Sequence, residues 1–294
     1  MTSDRMAMAA AATVGILVGA ALVSSQAISA DVAPGTLAFL RYGVGIVVLL
    51  LPIAVFQFHR VRFTGKDAAA IALLGIFQFA VLMLLLNHAL THLSATTCAL
   101  VFSTMPLWTV CLALLTRREA FAADKLLGVG LAVGGVVYLL DASAMQGAAH
   151  GHVLAGLAAL AGATLTGAVT SLLYAPYLRR YAALPTCALA MGAAVVFLSV
   201  FCLVTAQPLI PALTAFQWGH VIFIGLSSGV GYFCWLWALG RMDASRVVAF
   251  QALGPVTAAL IEGLMARRWP PLPLVASLAM VAGGLVLAMW RGRR

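Results

Sequence analysis

Charge is scarce in this chain. Of 294 residues only 9% are Asp, Glu, Lys or Arg, while 64% are hydrophobic, and the mean hydropathy is +1.08. A soluble globular domain carries about 25% charged residues. So few ionic groups cannot cover a water-facing surface, whereas helices in lipid need no such cover. Acids are the scarcest: 8 against 17 basic residues, a net charge of +9. None of the acids falls at the middle of an apolar run, where proton-coupled carriers often place one, so no coupling site is legible. Glu262 comes nearest, toward one end of its run. No G-x-x-x-x-G-K-[ST] stretch is present, which removes ATP-driven transport by a P-loop. The basic residues form short clusters and no continuous stripe, so the charge does not point to nucleic acid. Cys98, Cys111, Cys187, Cys202 and Cys234 all sit inside apolar runs. They show neither ligand spacing nor a disulfide framework and read as small buried hydrophobes. No metal or cofactor is expected.

What the chain has is apolar length. A membrane-spanning helix needs about 20 largely apolar residues. Ten segments qualify, at roughly 7–28, 33–56, 67–89, 94–116, 122–140, 152–174, 183–205, 216–238, 244–265 and 272–290. The first resembles a signal peptide in having one Arg before an apolar run, but reads as an uncleaved first span. Loops are expected at 141–151 and at 206–215, the latter holding Pro208 and Pro211. With the N-terminus inside, 14 of the 17 basic residues fall on the cytoplasmic side, as the positive-inside bias requires. Arg267 and Arg268 are outside, and Arg41 lies within the second span. The expected location is a bacterial inner membrane, multi-pass, with both termini cytoplasmic.

The two halves resemble each other. ALTHLSATTCALVFSTMP (89–106) aligns without a gap on ALGRMDASRVVAFQALGP (238–255), an offset of 149. The same offset carries Arg118 onto Arg267 and Gly134-Gly135 onto Gly283-Gly284. The expected fold is therefore an all-α polytopic membrane protein with ten transmembrane helices, in repeats 1–145 and 146–294. Five is odd, so the copies enter the membrane from opposite sides and must be inverted. Inverted repeats are a common construction of secondary transporters.

Several stretches carry a family resemblance: AFLRYG (38–43), LNHALTHLSATTCAL (86–100), TMPLWTVCLALLTRREAF with GVGLAVGGVVYLL (104–140), GYFCWLWALGRMDASRVVAF (231–250), and LGPVTAALIEGL with VASLAMVAGGLVL (253–287). On these the chain resembles the drug/metabolite transporter superfamily, specifically ten-helix exporters with two EamA repeats. The resemblance implies alternating access around a central cavity lined by helices one to four and six to nine, with helices five and ten peripheral. It is nearest to bacterial amino-acid and metabolite exporters, and export of aromatic amino acids is the preferred specific reading. The implied partners are a small-molecule substrate and membrane lipids, with a monomer as the simplest state. Where the family usually reads Gly-Glu-Arg after the fourth and ninth helices, this chain has Arg117-Arg118-Glu119 and Arg267-Arg268 with no acid following. No family role is carried onto those positions.

The candidate cavity residues are polar or aromatic groups at depth. Gln78 and Gln251 lie near the middles of the third and ninth spans, and Ser227 is the repeat mate of Gln78. An amide at this depth faces protein or water, either binding solute or joining helices. Ser103 and Thr104 stand beside Pro106. Pro106 and its repeat mate Pro255 are candidate kinks, since each removes a helix hydrogen bond. Arg41 lies about seven residues inside the second span, roughly 10 Å deep. It either snorkels, pairs with Asp31 or Glu262, or faces the cavity. Tyr232 and Trp235 share one face by their i, i+3 spacing, which suits stacking on an aromatic solute or ordinary core packing. Trp108, Phe77 and Phe79 carry the same two readings. His88 and His92 are four apart, but no third ligand accompanies them, so a metal is not expected. Gly15-x-x-x-Gly19 and the paired glycines read as packing surfaces.

Other functions fare worse. An intramembrane enzyme needs a nucleophile with its base, or paired carboxylates, at one depth, and no such set is visible. A receptor, an assembly factor or a lipid scramblase remains as the second rival. A large lateral groove would favour lipid handling; a closed central cavity would favour a solute carrier.

Overall fold

Proline, threonine and serine mark where the helices begin. The computed structural model describes residues 2–56, 63–115, 127–128, 130–131, 134–135, 138, 150–242, 247, 250, 253–267, 269 and 271–290. Its elements are α1 (Thr2–Ile28), α2 (Pro34–Phe56), α3 (Gly65–Leu90), α4 (Ala95–Phe102), α5 (Met105–Leu115), α6 (His150–Leu178), α7 (Ala183–Val204), α8 (Ala215–Leu239), α9 (Leu253–Ala266) and α10 (Leu272–Trp290). Pro34 opens α2 at the position where its missing N–H costs nothing. The Thr64 and Ser94 hydroxyls accept the Asp67 and Thr97 N–H groups to cap α3 and α4. Thr214 and Gln217 form a reciprocal capping box at α8. The expected loop at 206–215 lies between α7 and α8, with Ala206 in the left-handed region at φ 53°. The expected loop at 141–151 lies outside the described residues up to His150, where α6 begins.

This is an all-α, multi-pass membrane architecture. Among the described residues five helices are long and apolar enough to cross a bilayer: Arg5–Ile28, Gly65–Leu90, Val153–Leu178, Ala183–Val204 and Ala215–Leu239. Pro34–Leu50 within α2, Leu253–Ala266, which is α9, and Leu272–Gly284 within α10 are shorter apolar stretches among the residues described with their side chains. Five thus stand where the sequence suggests ten, and the shortfall has locatable reasons. The expected fourth span is divided into α4 and α5 at Ser103–Thr104, because Pro106 has no N–H to give the carbonyl four residues back. The expected fifth span falls largely outside the described residues, as does the expected ninth before Leu253.

Helices of the two halves interleave. α1 packs on α8, α9 and α4; α2 packs on α8 and α7; α3 packs on α6 and α7. Small residues allow these approaches. A Cβ on Gly15 would stand 2.2 Å from the Phe250 carbonyl oxygen, and one on Gly19 would stand 2.3 Å from that of Gly254. The α1 GxxxG face is therefore the seat of the chain entering α9. Gly135 meets the Met280 side chain and the Ser277 carbonyl in the same way.

Polar groups tie the bundle at its ends. At one end the Gln207 side-chain oxygen accepts from the Gly35 and Thr36 N–H groups at 3.0 and 3.3 Å, and Asn87 donates to the Pro34 carbonyl at 3.1 Å. Gln217 donates to Asp31 at 2.9 Å. Glu262 accepts from the Thr96 N–H at 3.2 Å and from the Thr96 hydroxyl. At the other end the Tyr181 hydroxyl donates to Asp67 at 2.7 Å, with Arg180 3.7 Å from the same carboxylate.

Candidate functional site

The site begins with an irregularity in α3. Residues Ile76–Val81 form a π turn within the helix, a feature that often marks functional positions. Gly75 precedes it and lets α3 lie against α7, since a Cβ there would stand 2.2 Å from the Ala190 carbonyl oxygen. Gln78 lies inside the π turn, 2% exposed. The Thr170 hydroxyl of α6 meets its side-chain oxygen and shares its one proton between that oxygen and the Thr166 and Gly167 carbonyls of its own helix.

Next to Gln78, Phe79 turns into an aromatic cluster. Its ring meets Tyr42 of α2 edge-on at 5.3 Å and Tyr232 of α8 edge-on at 4.5 Å. Tyr232 in turn meets Trp235 at 6.1 Å, and the Tyr42 hydroxyl donates to that of Tyr232 at 3.4 Å. Edge-to-face contacts of this kind are worth about 0.5–1.5 kcal/mol each beyond area burial.

Arg41 lies one residue before Tyr42 and is 5% exposed. Its Nε donates to Ser228 Oγ at 2.6 Å, and Nη1 approaches Met83 Sδ at 3.5 Å. Neither of the acids expected as its partner takes that role. Asp31 is held by Gln217, and Glu262 by Thr96, both at the bundle's end. Arg41 therefore neither snorkels nor forms a described ion pair.

These side chains line a partly open cavity with about 30 Å³ accessible to water, room for a water or two. Its walls come from α1 (Val14, Leu17, Val18, Ala21 and Leu22), with Arg41, Gln78, Met83, Ser227, Ser228, Tyr232 and Trp235 among the residues facing it. Five residues singled out from the sequence thus meet at one place: Arg41, Gln78, Ser227, Tyr232 and Trp235. Others do not join them. Trp108 is 43% exposed on α5 and is not part of the wall. Ser103 and Thr104 are buried, but their hydroxyls donate to the Leu100 and Val101 carbonyls, each at 2.6 Å. They cap their own broken helix. Gln251 lies outside the described residues. Pro106 and Pro255 both stand in the first turn of a helical segment, α5 and α9, where proline is tolerated. His88 and His92 contact each other edge-on at 5.0 Å near the end of α3. The sequence reading missed Tyr42, Met83, Ser228 and Thr170. The adjacency of Tyr42 to Arg41 and of Ser228 to Ser227 was the available signal; nothing local marks Thr170 or Met83.

Comparison with known proteins agrees with this architecture. A solved crystal structure superposes with a TM-score of 0.75 at 18% identity, covering 100% of this chain and 99% of that one; at this identity the likeness establishes fold alone. An uncharacterized transporter of Clostridium kluyveri is 25% identical over 224 residues, 74% of this chain and 72% of its own length. A probable terminal-alkyne amino-acid exporter of Streptantibioticus cattleyicolor is 27% identical over 232 residues, 76% of this chain and 74% of its own. An uncharacterized transporter of Archaeoglobus fulgidus is 24% identical over 229 residues, 78% of this chain and 80% of its own. The EamA-like transporter family model matches twice, over residues 5–140 and 154–290. A multi-pass helical membrane chain matched over nearly its full length in this way is a transporter and not an enzyme, and it belongs to the EamA-like transporter family.

Proposed function

We propose that the protein is a secondary transporter that exports amino acids, aromatic ones by preference, across the bacterial cytoplasmic membrane by alternating access. The observation carrying this reading is the cavity where Gln78, Arg41, Tyr232 and Trp235 meet between helices of both halves, with Tyr42 and Phe79 packed behind Tyr232. An aromatic side chain finds matching edges and faces there, and a solute's polar end finds an amide and a guanidinium. The relative named as a probable amino-acid exporter supports the cargo class. About 30 Å³ accessible to water does not hold such a solute, so in this reading the helices part to admit one.

In this reading ten crossings form two inverted repeats, 1–145 and 146–294, with both termini cytoplasmic. The doubled family match and the inside-positive distribution of Lys and Arg support that arrangement. Proteoliposomes loaded with labelled tryptophan, phenylalanine or alanine test it. Counterflow of the aromatic pair above alanine is expected. No movement of any amino acid would remove the cargo assignment and leave the transporter class standing.

A further inference from the structure

Arg41 is a buried cation for which the described residues supply no counter-charge. Its Nε reaches a neutral hydroxyl, and Nη1 reaches only a thioether, a weak acceptor. Its Nη2 has no acceptor among the described residues. Burying a guanidinium is costly unless it is paired and hydrogen-bonded, and an ionisable group inside a membrane protein marks a solute path when it faces a cavity. Arg41 faces one.

A second group in the same wall has the same deficit. Trp235 is 1% exposed, and its Nε1 has no hydrogen-bond partner among the described residues. Indole nitrogen only donates, and guanidinium only donates. Among the described residues the wall holds no Asp or Glu, and Ser228 Oγ accepts from Arg41 while donating to the Ile224 carbonyl. Among the described residues the wall therefore carries positive charge and a buried indole N–H without a partner, and it supplies no carboxylate to receive an ammonium.

We propose that Arg41 and Trp235 form an anion subsite for the carboxylate of the transported solute, and that recognition rests on this carboxylate and not on an amine. The proposal builds on the cavity being the solute site. A carboxylate matches the guanidinium's forked edge with two parallel bonds, which a point charge cannot reproduce. The solute class that follows is an aromatic or apolar carboxylate. A deaminated acid keeps the recognised group; a decarboxylated amine loses it and brings a second cation beside Arg41.

The test uses the full chain purified in an uncharged detergent, with ligand-induced thermal stabilisation by 3-phenylpropanoate, phenylalanine and 2-phenylethylamine. Labelled phenylalanine uptake into proteoliposomes runs in parallel. The native protein should bind the two carboxylates and bind the amine at least about tenfold more weakly. Arg41→Gln should weaken 3-phenylpropanoate by about tenfold to a hundredfold. Arg41→Lys should recover part of that loss. Trp235→Phe, which keeps a ring and removes the N–H, should weaken it about fivefold. Binding of 2-phenylethylamine as tight as that of 3-phenylpropanoate overturns the proposal, as does failure of the native protein to bind either carboxylate. If Arg41→Gln does not fold, the native panel and Trp235→Phe decide. Phenylalanine transport unchanged in a folded Arg41→Gln protein sinks the subsite and leaves amino-acid export intact. Arg41-dependent binding of 3-phenylpropanoate without phenylalanine transport does the reverse.

Discussion

Gly19→Ala should destabilise the protein, although alanine is the better helix former. In an unobstructed helix the change gains about 1 kcal/mol. Here the new methyl would lie 2.3 Å from the Gly254 carbonyl oxygen and 2.9 Å from the Thr257 Cβ. Relief needs a separation of roughly 1 Å, judged against ordinary contact distances. The obstruction is backbone, so no rotamer change can relieve it. Overpacking costs about 1–3 kcal/mol, and a rigid obstacle belongs at the upper end, leaving a net loss near 2 kcal/mol. Gly43→Ala is the matched control, because a Cβ there meets nothing within 4 Å and keeps the propensity gain. Thermal unfolding of both variants in detergent should move in opposite directions. α1 also supplies one cavity wall, so Gly19→Ala should lose transport beyond its loss of fold. A Gly19→Ala protein as stable as Gly43→Ala would refute the claim that α1 and the start of α9 are in backbone contact.

Three further outcomes follow from contacts already described. Thr170→Val removes the hydroxyl in contact with Gln78 and should weaken solute binding several-fold by about 1 kcal/mol, with Thr170→Ser restoring it; titration of both variants checks this. Ala206→Gly should raise thermal stability by up to about 1 kcal/mol, since φ 53° strains alanine and not glycine. Glu262→Ala and Thr96→Val should each destabilise by about 1–2 kcal/mol. Their double variant should cost less than the sum in denaturation, because both remove one contact.

The architecture was legible because scarcity of charge and apolar length are strong signals. Depth was legible for the same reason: Gln78, Arg41, Tyr232 and Trp235 were singled out by how far inside a span they lie. What the sequence could not supply is the side of each helix that faces inward. In a soluble helix the polar face gives that direction. Here interior and lipid faces are both apolar, so Phe77 and Phe79 read alike, yet the first is exposed and the second fully buried. Trp108 points outward for the same unreadable reason. Ser103 and Thr104 show a second limit. A hydroxyl at depth can always satisfy itself on its own helix, and at the break before Pro106 both do. The partners of Asp31 and Glu262 depended on which loops meet at the bundle's end, which span boundaries do not encode.

The π turn at Ile76–Val81 makes α3 two screws with different phase. One residue more per turn than an α-helix shifts everything beyond it by about 100°. The face that seats Gly75 on α7 therefore does not dictate the face that presents Asn87 to the start of α2. Loss of a single residue within that stretch would let it close as an α turn, leaving both halves on the faces they present now. Gln78, at the joint, is the residue whose direction such a change would reset.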